Sequence, residues 1–378
     1  MARDMHRGGW LWACGLALLL GLAACSPKEP VRVGFLGGLT ERASGFSEDA
    51  RNGVMLGVEQ RNQAGGIEGR RIELIVQDHG DGLARVPAAF QALREARVVA
   101  VIGPYSSAVG LEVMPLANAA RLLMLSPNVA ANALAGQDDY MVRIGRTVQQ
   151  AAQSYAQLLH ERGHTRIALA RDMGNAVFST TWSEDFHAAF SALGGAVVAQ
   201  ADFGAEPAVS YEDAVRTMLA AQPDGLLFIG PATDVARLAQ QAAKLAAALP
   251  MAAVDWAANA SLIELGGSAV EGMVFMQTHQ RDDDSPRYLA FVSAYEARFG
   301  RTPTASAIAA YDATSVLADA LARASVRGKA DEDPKDAVLQ NGPYEGLQQT
   351  IRFDRFGDTV RAAYPTVVRN GRFERLPR

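Results

Sequence analysis

Val98-Val99-Ala100-Val101-Ile102-Gly103 is an unbroken apolar run that ends in glycine and is followed by Pro104-Tyr105-Ser106-Ser107. A strand that is apolar on both faces is typical of a parallel sheet covered by helices on either side. The serines behind it can begin a helix, because a serine side chain can accept a hydrogen bond from a free amide of the first turn. The stretch therefore predicts a buried strand, a turn and a helix, the repeating unit of a doubly wound fold.

The same alternation of short apolar runs and helical stretches extends on both sides of this run. A first block spans about 31–125 and a second one about 148–248. After about Met276 the pattern changes to long helices, and two strands at 349–353 and 364–368 are predicted to form a closing pair. Two serial blocks predict an α/β fold of two doubly wound parallel-sheet lobes.

Ligands of open α/β sheets bind beyond the carboxyl ends of the strands. Two lobes that face each other would place those ends around one cleft. The segments predicted to border the cleft are 37–46, 103–107, 126–130, 171–178, 230–233 and 254–258.

Composition narrows the classes of function. With 49% hydrophobic and 20% charged residues, the chain can fill a sizeable core, so it is not a disordered protein. Its formal net charge of −5 lacks the basic surface that nucleic-acid binding through phosphates needs. Its two cysteines, Cys14 and Cys25, both lie near the N-terminus, so the body of the chain has no disulfide and no thiol nucleophile.

Residues 1–25 form a predicted lipoprotein signal peptide. Arg3 and Arg7 precede an apolar run that is too short to span a bilayer comfortably. The closing Leu22-Ala23-Ala24-Cys25 resembles the lipobox of bacterial lipoproteins, in which the cysteine is lipidated and becomes the first mature residue. An ordinary signal with a coincidental cysteine, or a simple membrane anchor, is the alternative. The chain is thus expected to be exported and tethered to a membrane through Cys25.

An ordered set of short motifs carries a family resemblance over almost the whole mature chain. The motifs are Asn62-Gln63-Ala64-Gly65-Gly66-Ile67-Glu68-Gly69-Arg70, Val101 to Ser107, Leu125-Ser126-Pro127, Asp139-Tyr140 with Arg143, and Phe353-Asp354-Arg355-Phe356-Gly357-Asp358. The set resembles the type I periplasmic binding proteins, specifically the leucine/isoleucine/valine-binding family of transport receptors. The resemblance implies two lobes joined by a three-segment hinge, with residues 31–146 plus 278–344 in the N-terminal lobe and 147–277 plus 345–378 in the C-terminal lobe.

The resemblance also implies a ligand site. A serine after the third strand and small residues after the next strand would hold a ligand carboxylate, which by position are Ser107, with Ser106 beside it, and Asn128 and Ala130. Helix capping alone is the alternative for the serines, and both roles can coexist. The family often has a hydroxyl where this chain has Ala130, and Asn128 replaces a smaller residue.

On the second lobe, Asp255 falls where the family holds the ligand ammonium. A carboxylate there can accept charge-assisted hydrogen bonds, although a solvated or capping acid is the alternative. Phe46 and Phe178 fall at aromatic positions of the family, and Tyr105 and Trp256 are further wall candidates, with core packing as the alternative.

His160-Glu161-Arg162-Gly163-His164 matches the zinc-protease pattern, which needs both histidines on one helical face. Gly163 is a helix terminator, so His164 is predicted to lie past the helix end, away from His160. A zinc hydrolase built on His160, Glu161 and His164 is thus a remote alternative.

The resemblance implies a binding protein that is not an enzyme and needs no cofactor and no metal. The predicted function is that of a lipid-anchored, periplasmic receptor of an ABC importer, with an amino acid, branched-chain or otherwise apolar, as the small-molecule ligand and a membrane permease as partner. A sensor of the same fold, for amides or related small molecules, is the alternative.

Overall fold

The computed structural model describes residues 28–40, 44–204, 209–246 and 248–376. The predicted signal peptide and Cys25 therefore lie outside the described residues. Two separate α/β lobes are present, each with its own central sheet. The doubly wound fold predicted from the sequence is confirmed.

The first lobe is built on a sheet of five parallel strands in the order β2-β1-β3-β4-β5. These strands are β1 Val31–Gly37, β2 Ile72–Asp78, β3 Ala100–Ile102, β4 Leu123–Ser126 and β5 Met141–Arg143. The apolar run 98–103 supplies β3, whose three residues are all buried, as expected of a central strand.

Helices cover both faces of this sheet. They are Ser44–Gln63, Val86–Glu95, Ser107–Ala120, Pro286–Phe299, Ala305–Val326 and Pro334–Gln340. The helices Ser44–Gln63 and Ala305–Val326 approach each other closely at Gly53, where an added Cβ would lie 2.2 Å from the carbonyl oxygen of Ala307. Only glycine fits where these two helices touch.

The second lobe has a sheet of seven strands in the order β14-β13-β10-β9-β8-β6-β7. Its strands are β6 Arg166–Asp172, β7 Ala196–Phe203, β8 Gly225–Ile229, β9 Met251–Ala253, β10 Val274–Gln277, β13 Tyr364–Arg369 and β14 Arg372–Arg375. Five of them are parallel, and the last two add an antiparallel edge. Its main helices are Val148–Glu161, Ala176–Ala192, Tyr211–Ala220, Ala232–Leu245 and Ala260–Gly266.

The chain passes between the two sheets three times. It crosses after β5, after β10, and again between the short strand β12 Thr350–Ile351 and β13. The third crossing is tied to the first lobe, because Asp358 accepts a hydrogen bond of 2.8 Å from Nε of the buried Arg143. The three crossings border the space between the lobes.

The C-terminal tail corrects one prediction. The strands near 350 and 364 do not pair with each other, because β12 pairs with β11 Tyr344–Glu345 and β13 pairs with β10 and β14. The tail predicted to belong to the second lobe from 345 onward is divided, since Ile351 is buried in the first-lobe core. The reason is the third crossing, which separates two strands that look adjacent in the sequence.

Candidate functional site

One cavity of about 180 Å³ lies between the lobes and takes its lining from both of them. All nine predicted site residues line it, namely Phe46, Tyr105, Ser106, Ser107, Asn128, Ala130, Phe178, Asp255 and Trp256. The loops predicted from strand ends thus meet at one place. The segment 230–233 is the exception, because Gly230 packs into the second lobe, where an added Cβ would lie 2.8 Å from Phe203.

The first-lobe end of the cavity is a helix start. Ser106 is the N-cap of the helix Ser107–Ala120, and its side chain accepts a hydrogen bond of 3.3 Å from the amide of Val109. The capping alternative for Ser106 is therefore observed, and it coexists with a position on the cavity wall. The start of a helix presents amide donors and the positive end of its dipole, which favour an anion.

The loop after β4 lies beside this helix start. The hydroxyl of Ser126 donates to the carbonyl of Pro104 at 2.7 Å and accepts from the amide of Val129 at 2.9 Å, so it joins the two loops. Asn128 lines the cavity, and its Oδ1 atom is buried with no hydrogen-bond partner among the described residues. Ala130 contributes a methyl group to the wall and no hydroxyl.

Asp255 is the acidic group on the second-lobe side. It begins a short turn after β9, without capping a helix, and Nε2 of Gln277 donates to its Oδ1 at 3.1 Å. Burial raises the pKa of the Asp255 carboxyl above its ordinary value, while the hydrogen bond from Gln277 and the charge of Arg281 oppose that rise. Asp255 forms no ion pair within 4.0 Å among the described residues, so its charge is available to a cationic group in the cavity.

Aromatic rings form much of the remaining wall. Phe178 and Trp256 pack edge to face with their centroids 6.0 Å apart, a favourable arrangement of ring quadrupoles. Tyr105 packs on Phe35 at 5.3 Å, and its hydroxyl is buried with no partner among the described residues. Burial raises the pKa of Tyr105 well above its ordinary value, so this hydroxyl stays protonated and can donate.

Several polar residues of the cavity were not predicted. Arg146, His279 and Arg361 line it from the three crossings, and His79 lines it from the end of β2. Each has a buried side-chain nitrogen with no hydrogen-bond partner in the described part of the chain. The signal that could have found the first three is their place at the lobe boundaries, because a segment that crosses between lobes must border the cleft.

The histidines of the H-E-x-x-H pattern lie apart. The helix ends at Glu161, and Gly163 adopts a φ of 84°, as predicted for a helix terminator. His160 is exposed, whereas His164 is buried with its Nδ1 atom 3.5 Å from Oδ1 of Asp224. Within the described ranges, no group of three histidine, cysteine, aspartate or glutamate side chains could hold a metal ion.

Among the described residues, no helix is both long enough and apolar enough to cross a membrane.

Two α/β lobes, three crossings and one cavity between the lobes define the class of type I periplasmic binding proteins. Residues 30–372 match the sequence model of a family described as periplasmic binding proteins. The chain belongs to this family.

The individual relatives are remote in sequence. The Leu/Ile/Val-binding protein BraC3 of Rhizobium johnstonii is 24% identical over 265 residues, which cover 68% of this chain and 71% of that protein. The structure of LivJ from Streptococcus pneumoniae, in complex with isoleucine, matches with a TM-score of 0.83 and 22% identity over 91% of this chain and 98% of that one. A solute-binding protein from R. palustris, in complex with benzoate, matches with a TM-score of 0.83 and 17% identity over 92% and 95%. The two structural likenesses show the fold.

Proposed function

We propose that this protein is the substrate-binding component of an ABC importer and that it binds an amino acid between its two lobes. The observation that supports the proposal most is the cavity between the lobes, which has a helix start with Ser106 and Ser107 on one side and the carboxylate of Asp255 on the other. Opposed anion-binding and cation-binding groups match the two charged ends of an amino acid.

In the proposed mechanism, the ligand carboxylate binds first to the first lobe. Ser106, Ser107 and the amides of the helix start would receive it, with Asn128 and Ala130 beside it. The second lobe would then close and bring Asp255 to the ammonium and the rings of Phe178 and Trp256 to the side chain. Closure is a population shift, because the closed state binds the ligand with more contacts than the open one.

The proposal places the protein outside the cytoplasm. The signal-like residues 1–25 and the lipobox-like end at Cys25 support export and a lipid anchor. The closed form would then dock on a membrane permease. Replacement of Cys25 by serine is expected to release the protein from the membrane fraction, and retention of the Cys25→Ser protein there would reject the anchor.

A small carboxylate without an ammonium group is a second candidate ligand class. The rings of Phe178 and Trp256 at the cavity wall favour it, since they could contact an aromatic acid as well as a side chain. The structural neighbour in complex with benzoate is consistent with such a ligand in this fold.

A thermal-shift panel tests the proposal. A ligand at 100 times its Kd stabilises the folded state by about 2.7 kcal/mol, which is readily measured as a rise in Tm. At least one of the aliphatic, aromatic and polar amino acids is expected to raise Tm with increasing concentration. A response to benzoate alone would favour the second candidate, and a flat response to every compound would reject both.

A further inference from the structure

Arg361 is a buried cation on the cavity wall that the proposed amino-acid site does not use. The residue is only 8% exposed, and it reaches the cavity from the third crossing. Its Nη2 atom donates to Oδ2 of Asp312 at 3.2 Å, whereas Nε and Nη1 are buried with no partner among the described residues. A guanidinium carries five N–H donors, and buried donors without acceptors are unfavourable. Arg361 can therefore receive an acceptor group.

Asp312 fixes the position of this guanidinium. The carboxylate is 1% exposed, and its other oxygen accepts a hydrogen bond of 2.8 Å from the amide of Leu347. Asp312 lies on the helix Ala305–Val326, four residues after Ile308, which lines the cavity. Residues four apart lie on the same helical face, so the guanidinium lies beside an apolar part of the wall.

The charges around the cavity are unequal. Among the described residues of the lining, the arginines are Arg146 and Arg361, and the one carboxylate is that of Asp255. Asp312 pairs with Arg361 from behind the wall, while Arg281 and Arg287 act on Asp255 and Asp312 from outside the lining. The lining therefore has an excess of one positive charge, and protonation of Asp255 would increase it. A zwitterion leaves that excess in place, whereas a ligand with a net charge of −1 cancels it. An uncompensated charge in a buried site is costly, so the arrangement favours an anionic ligand.

Building on the proposed function, we propose that the ligand is a short acid with two carboxylates, such as an acidic amino acid, and that Arg361 determines this specificity. One carboxylate binds at the helix start of Ser106 and Ser107, and the other binds the free donors of Arg361. The residue contacts the ligand directly, in addition to its bond with Asp312.

Isothermal titration of the purified full chain with L-glutamate, glutarate, L-leucine and benzoate tests the inference. L-Glutamate or glutarate is expected to bind at least tenfold more tightly than L-leucine and benzoate. Tightest binding of L-leucine or benzoate would overturn the inference and leave the proposed binding function standing. Absence of binding by all four compounds would reject the inference, whereas the amino-acid function is rejected only by a flat response across the whole thermal-shift panel.

Two variants test the role of Arg361. The double variant Arg361→Gln with Asp312→Asn removes both charges of the pair, so no unpaired charge is left buried. It is expected to weaken dicarboxylate binding at least tenfold. Arg361→Lys keeps the charge but loses the fork, the paired donors of the planar guanidinium that bind a carboxylate through two hydrogen bonds, and is expected to weaken binding less. If the double variant does not fold, a normal dicarboxylate affinity of Arg361→Lys would overturn the role of the fork. Unchanged affinity of both variants would overturn the role of Arg361.

Discussion

Replacement of Asp255 by asparagine separates ligand binding from folding. Asparagine keeps the size of the side chain and an oxygen that can accept the bond from Gln277, but it removes the charge. Burial raises the pKa of Asp255, which means that the folded state disfavours its ionised form. A carboxyl with a raised pKa stabilises the fold at low pH and loses that contribution as the pH rises through the folded pKa. At pH 7 the Asp255→Asn apoprotein should therefore be as stable as the wild type or more so.

Ligand binding should change in the opposite direction. Charge-assisted hydrogen bonds contribute about 1.5–3 kcal/mol, and an ammonium left in the cavity without a counter-ion costs about 3–5 kcal/mol. A loss of about 3 kcal/mol corresponds to roughly two orders of magnitude in Kd. For the wild type, the affinity for an amine ligand should also fall as acidification protonates Asp255.

Titration calorimetry and thermal unfolding measure the two effects on the same samples. The amine ligand is whichever of L-leucine and L-glutamate binds the wild type. Asp284→Asn is the matched control, because Asp284 is exposed and lies outside the cavity lining. An Asp255→Asn protein that folds normally and binds the amine ligand with wild-type affinity would refute an ammonium site at Asp255.

Three further substitutions probe packing, protonation and the cavity wall. Gly53→Ala should destabilise the first lobe by about 1–3 kcal/mol, seen as a lower Tm, whereas Gly45→Ala in the same helix meets no atom within 4 Å and should not. Burial lowers the pKa of His279 well below its ordinary value, so the free energy of unfolding should fall as the pH drops below about 6.5. In acid unfolding curves, His279→Gln should reduce this dependence on pH, whereas the control His160→Gln, at an exposed position, should leave it unchanged. Trp256→Ala should weaken ligand binding at least tenfold in the same calorimetric assay, and an unchanged Kd would remove its ring from the site.

Local patterns were sufficient for most of the fold. The apolar run at 98–103 predicted the buried strand β3, and Ser106 caps the helix that follows it. The first helix begins at Ser44, and Ser47 is buried within it beside Gly37 of the first strand. A serine can cap a helix or lie inside one, so its presence alone does not fix where a helix begins.

Long-range features of the site were harder to predict. Strand ends and family resemblance together predicted nine residues that line one cavity, since the carboxyl ends of parallel strands meet at one edge of each sheet. Arg146, His279 and Arg361 were missed because they belong to the crossings, whose course depends on how two finished lobes meet. The same cause explains the wrong pairing of the closing strands.

The third crossing connects the proposed ligand site with the proposed movement of the lobes. Three hydrogen bonds tie its residues to the first lobe just before β13 enters the second sheet. They run from Arg143 to Asp358, from Arg361 to Asp312, and from the amide of Ala362 to Gln349. In the proposed closure, only the short piece of backbone near 363 would be left to rotate in this crossing. Apparent affinity depends on the fraction of molecules able to close, so stiffening this pivot would alter it without touching the ligand. Arg361 both ties this crossing to the first lobe and is the proposed ligand contact. A substitution at this position that changes the ligand specificity would therefore also change how readily the lobes close.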